Sequence, residues 1–309
     1  MHPPIIAIHG CTGVGKTDFS IALALRYNGE IVNADSRYLY RDLHIGVAKP
    51  TPEQLKRVRH HLIDVLAATE RAYIPMIQQQ AYTAFAEIGT RTGLPILVGG
   101  TPLYMNAITE GWVVPEVEPN PAFREGLEQQ AVEHGIASLQ AALELVDPVA
   151  AARSGTNLRR IIRALEIYEA TGRPMSEIET KTPPPYQVLN IGLRRDRERL
   201  RGELADRVDR HIAAGLVEEV RDLLASGLTG EEPAFSAIGY RQLLPYLHGE
   251  CSLEEAVAMI KADTNRYVRH QMTWLRRRTD IAWFDTETEG WHERAYLLVA
   301  SHLAGASSS

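Results

Sequence analysis

The stretch IIAIHGCTGVGKT, residues 5–17, decides the fold, because it joins an apolar strand to a glycine-rich turn and a helix. The turn fits the pattern of a glycine, four residues and then Gly-Lys-Thr, which holds phosphate groups. Its glycines let consecutive backbone amides point inward, and the helix that follows adds its positive end. The residues predicted to bind a diphosphate or triphosphate are Gly10, Cys11, Thr12, Gly13, Val14, Gly15, Lys16 and Thr17.

Three side chains of this loop have separate expected roles. Lys16 supplies a point charge, and the Thr17 hydroxyl is placed to hold Mg²⁺. Cys11 lies in the body of the loop with no histidine indicated beside it, so we expect a passive contact rather than a thiol nucleophile. The expected cofactor is Mg²⁺.

The segments after the loop alternate between helix and strand. Helical spacing predicts helices over 17–27 and 75–92, with another opened by a capping box at Thr51. Strands are predicted over 30–34 and 96–98, and the second is wholly apolar, as in a parallel sheet covered on both faces. This order indicates a doubly wound α/β domain.

The alternation stops at Gly111, after which prolines and helical segments continue to about residue 179. A strand is predicted again over 188–193, followed by helices over 197–225 and 253–278, the latter opened by a capping box at Ser252. The predicted fold is α/β, a P-loop NTPase-like parallel sheet core with a helical insertion domain and a helical C-terminal extension. The predicted domain boundaries give a core of residues 1–111 and 186–309 and an insertion of residues 112–185. Residues 304–309 are treated as a frayed tail.

Composition excludes several classes of protein. A chain of 309 residues that is 45% hydrophobic can bury a substantial core, and its net charge of -6 limits any nucleic-acid surface to a local patch. Two cysteines exclude a disulfide framework and a four-thiolate zinc site. The start of the sequence lacks signal-peptide features and no apolar run is long enough to cross a bilayer, so a cytoplasmic location is expected. The chain is also expected to be a monomer.

The end of the predicted strand 96–98 bears on the type of reaction. P-loop enzymes that transfer phosphoryl groups usually have a magnesium-holding Asp there, but this strand ends in Gly99-Gly100-Thr101. That weakens the kinase and ATPase hypotheses and favours a ligand whose diphosphate is a leaving group. A P-loop kinase acting on a nucleotide or small molecule remains the alternative.

Asp35 follows the neighbouring predicted strand and lies at the carboxyl edge, where open α/β sheets bind ligands. From its position alone, Asp35 could hold magnesium through water, cap a helix or act as a general base.

The sequence resembles the bacterial tRNA dimethylallyltransferases, also called isopentenyl-tRNA transferases, along nearly its whole length. The matching motifs are ordered and spaced as in that family. They are GCTGVGKT at 10–17, NADSR at 33–37, IGVAKP at 45–50, HHLID at 60–64, VGGTPLY at 98–104, DPVAAAR at 147–153, RALE at 163–166, GLVEEVRDL at 215–223, IGYRQ at 238–242 and HQMTWLR at 270–276.

The resemblance implies a reaction and roles for its residues. The loop would cradle dimethylallyl diphosphate rather than ATP, assisted by Mg²⁺ held through Thr17. Asp35 would accept a proton from the exocyclic amine of the adenine beside the anticodon, flipped out of its stack. Thr101 and Arg207 would line the catalytic channel, with Arg207 neutralising the leaving group. By charge pattern alone, Arg207 belongs to an ordinary ion-paired helix, and only the resemblance singles it out.

Two arginine clusters, one in the insertion and one on the late helix, favour phosphate contacts. With the resemblance, they predict tRNA binding by the insertion domain and by specific residues of both parts. These are Asp35, Ser36, Arg37, Tyr38, Thr101, Arg124, Arg159, Arg160, Ile161, Ile162, Arg163, Ser236, Gly239, Tyr240, Arg241, Arg269, Gln271, Trp274 and Arg276. Tyr38, Tyr240 and Trp274 could stack on unpaired bases, and for Trp274 a place in the core is an equal alternative.

Two further alternatives fit less well. Isopentenyltransferases that act on free adenylates lack the long C-terminal helical part, residues 197–278. A non-catalytic RNA-binding protein would not explain why Lys16, Asp35 and Arg207 occur together.

Overall fold

The computed structural model describes residues 2–91 and 93–308, which form two compact units. The core unit comprises Met1–Thr109 and Pro184–Ser309, and the insertion unit is Glu110–Pro183. These boundaries lie slightly before the ones expected from the sequence. In chain order the elements are β1 (Pro4–His9), α1 (Lys16–Arg26), β2 (Gly29–Asn33), α2 (Pro52–Arg57), β3 (His60–His61), α3 (Ile74–Thr90), β4 (Leu94–Val98), α4 (Pro102–Glu110), β5 (Trp112–Val113), α5 (Pro121–His134), α6 (Ile136–Val146), α7 (Pro148–Ser154), α8 (Leu158–Thr171), α9 (Met175–Ile178), β6 (Thr180–Lys181), β7 (Gln187–Arg194), α10 (Arg197–Ala213), α11 (Leu216–Ala225), α12 (Tyr240–Leu247), α13 (Leu253–Leu275), β8 (Ile281–Asp285) and α14 (Trp291–Ser308).

The core unit is built on a six-stranded parallel sheet with the order β3-β2-β4-β1-β7-β8. Strands β1, β2 and β4 therefore end at the same edge, which brings the segments after His9, Asn33 and Val98 together. This arrangement confirms the predicted α/β fold class and places the phosphate loop beside the Asp35 turn.

Alternate residues of the central strands enter opposite faces of the sheet. Ile5 and Ala7 of β1 belong to one buried apolar cluster, whereas Ile6 and Ile8 belong to another. Both faces are therefore covered, as the apolar strands indicated.

Several boundaries differ from the sequence prediction. The predicted helix 197–225 is two helices, α10 and α11, separated at Gly215, whose φ of +98° lies in the left-handed region that favours glycine. The tail treated as frayed continues α14 as far as Ser308. Strand β8 and the short antiparallel pair of β5 and β6 were not predicted.

The predicted capping boxes at Thr51 and Ser252 are confirmed. Thr92, the predicted last residue of a helix, lies outside the described residues.

The insertion unit has its own apolar core and its own network of buried hydrogen bonds. Leu139 and Leu143 of α6 pack with Ile161 and Ile162 of α8. The buried Asp147 carboxylate accepts the N–H of Ala150 at 2.9 Å and so caps α7. It also accepts the N–H and O–H of Ser176 at 2.8 and 2.7 Å.

Within the described part of the chain, no helix combines the length and the apolar character needed to cross a membrane.

Candidate active site

The phosphate loop connects β1 to α1 in the conformation that anion binding requires. Gly13 and Gly15 have φ values of +88° and +90°, so a side chain at either position would strain the backbone. The Lys16 ammonium donates to the carbonyl oxygens of Gly10 at 2.9 Å and Cys11 at 2.8 Å, which holds it beside the loop. Burial lowers the pKa of Lys16, and the nearby Arg207 lowers it further, while Asp35 opposes the shift. An anion in the loop would offset this crowding of positive charge.

Asp35 is fixed by a compact turn at the end of β2. The Asn33 amide oxygen accepts the N–H of Asp35 at 2.8 Å, and the Asn33 amide nitrogen donates to the carbonyl oxygens of Asp35 and Leu62 at 3.0 and 2.8 Å. Oδ1 of Asp35 accepts the N–H of Arg37 at 3.0 Å. The carboxylate therefore has one anchored oxygen, and its orientation does not depend on a ligand.

The glycine pair after β4 makes room for this turn. A Cβ atom at Gly99 would lie 2.2 Å from the backbone of Ala34, and one at Gly100 would lie 2.7 Å from Oδ2 of Asp35. No side chain fits at Gly99 without moving the Ala34 backbone. In phosphoryl-transfer enzymes an acid stands at the end of this strand. In this protein the Asp35 turn packs against the end of β4 instead.

Thr101 supports the same turn. Its hydroxyl oxygen accepts the N–H of Ser36 at 2.9 Å and donates to the Ser36 hydroxyl at 3.1 Å. Thr101 is not among the residues that line either cavity described below. Its hydroxyl supports the Asp35 turn through Ser36, and its expected place in the channel wall stays a prediction.

Two side chains of α13, one turn apart, reach the Gly100 carbonyl oxygen. Tyr267 donates to it through its hydroxyl at 2.9 Å, and Gln271 donates through Nε2 at 2.5 Å. Gln271 is only 1% exposed, so its predicted contact with tRNA is corrected to an internal one. The sequence did not predict that Tyr267 and Gln271 contact Gly100, although a spacing of four residues on a helix places both side chains on one face.

Two cavities lie beside the Asp35 turn. The first, of about 320 Å³, is lined by the phosphate loop, α1, Asp35 and the side chains of Arg207 and Arg210. The second, of about 190 Å³, is lined by Arg37, His211 and residues 236–239. Thr12, Asp35, Val47 and Arg207 line both cavities, so the carboxylate lies where the two adjoin.

Arg207 faces the phosphate loop from α10. Its guanidinium donates to the Thr12 hydroxyl at 3.0 Å. Burial lowers its pKa, and Asp35 opposes this effect, but an arginine this basic stays charged. Lys16 and Arg207 therefore place two cations beside the same loop, and both line the first cavity.

His211 was not predicted, because nothing in the sequence distinguishes it from the other charged residues of α10. It follows Arg207 by one helical turn and lines the second cavity. Burial lowers the pKa of His211 to about 4, and the neighbouring Arg207 and Arg210 lower it as well. The ring is neutral at physiological pH.

The two tyrosines expected to stack on RNA bases differ in position, since Tyr240 lies inside the core unit and Tyr38 lines the first cavity. Tyr240 is 0% exposed, so its predicted contact with a base is corrected: the ring is packed inside the core unit. Tyr38 is half-buried and donates its hydroxyl to the carbonyl oxygen of Ala48 at 2.7 Å. Burial raises the pKa of Tyr38, as does the nearby Asp35.

Other residues predicted to bind tRNA in the core unit lie at its surface or along the second cavity. Arg37 donates to the Ser236 hydroxyl at 2.9 Å, and Gly239 lines the second cavity. Arg241, Arg269 and Arg276 are exposed. Trp274 is half-buried, and its indole N–H donates to the His270 ring at 3.2 Å.

The residues of the insertion unit that were predicted to bind RNA fall into three groups. Arg159 and Arg160 are exposed, whereas Ile161 and Ile162 are buried in its core, which corrects their predicted contact with tRNA. The other two arginines bind a buried carboxylate. Arg124 donates to Glu166 at 2.8 and 2.6 Å, and Arg163 does so at 2.7 Å.

Comparison with known proteins agrees with this arrangement. A family model described as IPP transferase matches residues 38–278, and one described as isopentenyl transferase matches residues 3–72. A tRNA dimethylallyltransferase of Thermomicrobium roseum is 49% identical over 94% of this chain and 89% of its own. The solved tRNA isopentenylpyrophosphate transferase of Bacillus halodurans is 35% identical, with a TM-score of 0.75, and the alignment covers 99% and 98% of the two chains. A eukaryotic dimethylallyltransferase solved while acting on tRNA has a TM-score of 0.80 at 25% identity, over 98% of this chain and 80% of that one. The chain belongs to the IPP transferase family.

Proposed function

We propose that the protein transfers a dimethylallyl group from dimethylallyl diphosphate to the exocyclic N6 amine of the adenosine 3′ of the anticodon in tRNA, releasing diphosphate. The observation that carries the proposal is the position of Asp35. Its carboxylate lies where two cavities adjoin, and one of these contains the phosphate loop. A base placed between two substrates suits a transfer in which the acceptor loses a proton.

The first cavity suits an allylic diphosphate. Its phosphate loop, with the Lys16 and Arg207 cations, supplies positive charge where the leaving group would gain negative charge. The lining also includes apolar side chains, which would cover the five-carbon group. They are those of Ile31, Val47, Ile63 and Val98.

The residues present also fit Mg²⁺. Thr17 lines the first cavity directly after Lys16, and the carboxylates of Asp18 and Asp35 line it too. Hydroxyl and carboxylate oxygens are the ligands that Mg²⁺ accepts, together with phosphate oxygens and water. Thr17 would hold the ion against the diphosphate, where it supplies charge that stabilises the leaving group.

The second cavity would take the adenine. A base must leave its stack to reach buried groups, and Arg37 and residues 236–239 line the cavity that would receive it. The N6 nitrogen forms a bond to the allylic carbon, and the bond from that carbon to the diphosphate oxygen breaks. Asp35 accepts the N6 proton, while Lys16 and Arg207 bind the departing diphosphate.

The phosphate backbone of the RNA would contact exposed arginines, since such contacts give affinity without reading the sequence. Arg269 and Arg276 of the core unit and Arg159 and Arg160 of the insertion unit are exposed. We further propose that the protein acts as a monomer on cytoplasmic tRNA.

A mass measurement tests this function against the kinase alternative. An adenine-rich anticodon stem-loop is incubated with the protein and Mg²⁺, with either dimethylallyl diphosphate or ATP as donor. A mass gain of one dimethylallyl group with the allylic donor alone is expected. Consumption of ATP with no gain from the allylic donor would overturn the proposal in favour of phosphoryl transfer.

A further inference from the structure

Residues 44–50, called the roof loop here, contact both cavities. Gly46 lines the second cavity, Ala48 and Pro50 line the first, and Val47 lines both. The loop contains turns but no helix or strand, so its position depends on contacts with its neighbours.

The carboxylate of Glu219, on α11, binds the start of the roof loop. It accepts the backbone N–H of His44 at 3.0 Å and that of Ile45 at 2.8 Å. It also accepts the hydroxyl of Tyr240. Glu219 is not among the residues that line either cavity, and its hydrogen bonds reach the site through the loop.

Tyr240 supports the same contact from inside the core. Its hydroxyl oxygen accepts the N–H of Gly46 at 3.2 Å while its proton goes to Glu219. Burial raises the pKa of Tyr240, as does the charge of Glu219, so the hydroxyl keeps its proton. A Cβ atom at Gly46 would lie 2.6 Å from the Tyr240 ring, which shows how closely the loop approaches it.

The far end of the roof loop is joined to the Asp35 turn. Tyr38 donates its hydroxyl to the carbonyl oxygen of Ala48 at 2.7 Å, and its N–H donates to the carbonyl oxygen of Asp35 at 3.3 Å. The Lys49 ammonium binds Asp64 and the carbonyl oxygen of Tyr40. A shift at His44 and Ile45 would therefore alter the wall of both cavities beside the carboxylate.

We infer that Glu219 is a positioning residue that holds the roof loop over the junction of the two cavities and so keeps water from the allylic carbon. This inference rests on the proposed function. During transfer, the allylic carbon leaves the diphosphate oxygen and bonds to N6, and the N6 proton goes to Asp35. With the loop displaced, water attacks the same carbon, the same carbon–oxygen bond breaks, and a proton passes to the solvent. The products are then dimethylallyl alcohol and diphosphate.

The test measures how many diphosphates are released for each dimethylallyl group that reaches the RNA. Full-length wild type, Glu219→Gln and Tyr240→Phe are each supplied with Mg²⁺, dimethylallyl diphosphate and stem-loop RNA. For Glu219→Gln, we expect transfer to slow by about tenfold and the ratio of alcohol to modified RNA to rise by about tenfold, the order seen when an active site is loosened. Tyr240→Phe keeps the ring and removes one donor, so a smaller rise is expected.

Controls separate loop positioning from general damage. Glu218→Gln alters the adjacent carboxylate, which is 64% exposed and contacts Arg221 at 3.6 Å, and it should leave both rates unchanged. Glu219→Asp should restore part of the coupling. Slower transfer with a wild-type product ratio in both Glu219→Gln and Tyr240→Phe would overturn the inference while leaving the proposed function intact. Absence of modified RNA with the wild type would instead overturn the proposed function.

Discussion

The side-chain oxygen of Gln271 accepts the backbone N–H of Thr12 at 3.0 Å, which joins the long helix α13 to the phosphate loop. The amide nitrogen of the same side chain donates to the carbonyl oxygen of Gly100. One buried amide thus sets the spacing between the loop proposed to hold the diphosphate and the turn that packs against Asp35.

Replacing Gln271 by leucine should uncouple these two parts of the site. The change leaves the Thr12 N–H without this acceptor, at a cost of about 1–3 kcal/mol, whereas the Gly100 carbonyl oxygen keeps the Tyr267 hydroxyl as a donor. We expect kcat to fall by about tenfold to a hundredfold, because small displacements of catalytic groups have effects of this size. Single-turnover kinetics and a thermal unfolding scan check both effects. Glu254→Gln, on the first turn of the same helix, is the matched control, and a Gln271→Leu enzyme as fast as this control would contradict the account.

Gly100→Ala tests the packing of Asp35 directly. The new methyl group would lie 2.7 Å from Oδ2 of Asp35, so the carboxylate must move and the rate of transfer should drop by at least about tenfold. Gly89 lies in α3 with no atom within 4 Å of an added Cβ, so Gly89→Ala should keep full activity and raise the stability by about 0.5–1 kcal/mol. Steady-state rates and urea unfolding of the pair measure the difference. Equal activities for the two variants would show that Asp35 tolerates the methyl group.

Lys16→Ala should weaken donor binding selectively. Its ammonium lies beside the loop, 2.9 Å from the Gly10 oxygen, and a lost charge-assisted hydrogen bond costs about 1.5–3 kcal/mol. Affinity for dimethylallyl diphosphate should therefore fall by about tenfold to a hundredfold, while affinity for the RNA stays constant. Calorimetry with each substrate measures both values, and the exposed Lys56→Ala serves as control. Unchanged donor affinity would remove Lys16 from the proposed site.

Glu166 should make the insertion unit sensitive to acid. Its side chain is 2% exposed. Burial alone would raise its pKa, but hydrogen bonds from Arg124, Asn120 and Arg163 lower it to about 2, below the ordinary value of 4.5. The stabilisation is present above the unfolded value and is lost as the pH falls from about 4.5 towards about 2. By this shift it amounts to at most about 3 kcal/mol.

Glu166→Gln tests this linkage, since it removes the charge and keeps the size. The variant should be less stable than wild type at pH 7, and the difference should shrink as the pH approaches 3. Hydrogen exchange of α5 and α8 amides, compared between the two proteins at each pH, measures it. A difference that stays constant over this range would contradict the role of the charge.

The parts of the fold that the sequence predicted are those specified by local pattern. The apolar runs of β1 and β4 and the glycine-rich loop identified the parallel core, because each is a short local signal. The break at Gly215 was missed, since the residues on both sides continue the helical pattern and a single glycine is tolerated in a helix. Strand β8 was missed because its pairing with β7 is a long-range contact.

The sequence predicted the charged residues of the site correctly, but it predicted less well which residues are free to contact the substrate. Lys16, Asp35 and Arg207 do meet around one cavity. Gln271 and Tyr240 lie in motifs that the family resemblance marks, Ile161 and Ile162 directly precede one, and the structure buries all four. A motif does not distinguish a residue that touches the substrate from one that holds the site together, because both are specified by the same stretch of sequence.

Proton transfer to Asp35 is tested most directly by the single-turnover rate of Asp35→Asn with dimethylallyl diphosphate and anticodon stem-loop RNA. In the wild type, Asp35 accepts the Arg37 N–H at 3.0 Å. Asparagine keeps a side-chain oxygen that can accept the same N–H, so the turn should keep its conformation. We predict unchanged affinity for both substrates and a rate at least about a hundredfold lower, as expected when a general base is removed. A rate near that of the wild type would contradict proton transfer to Asp35, and with it this account of the site.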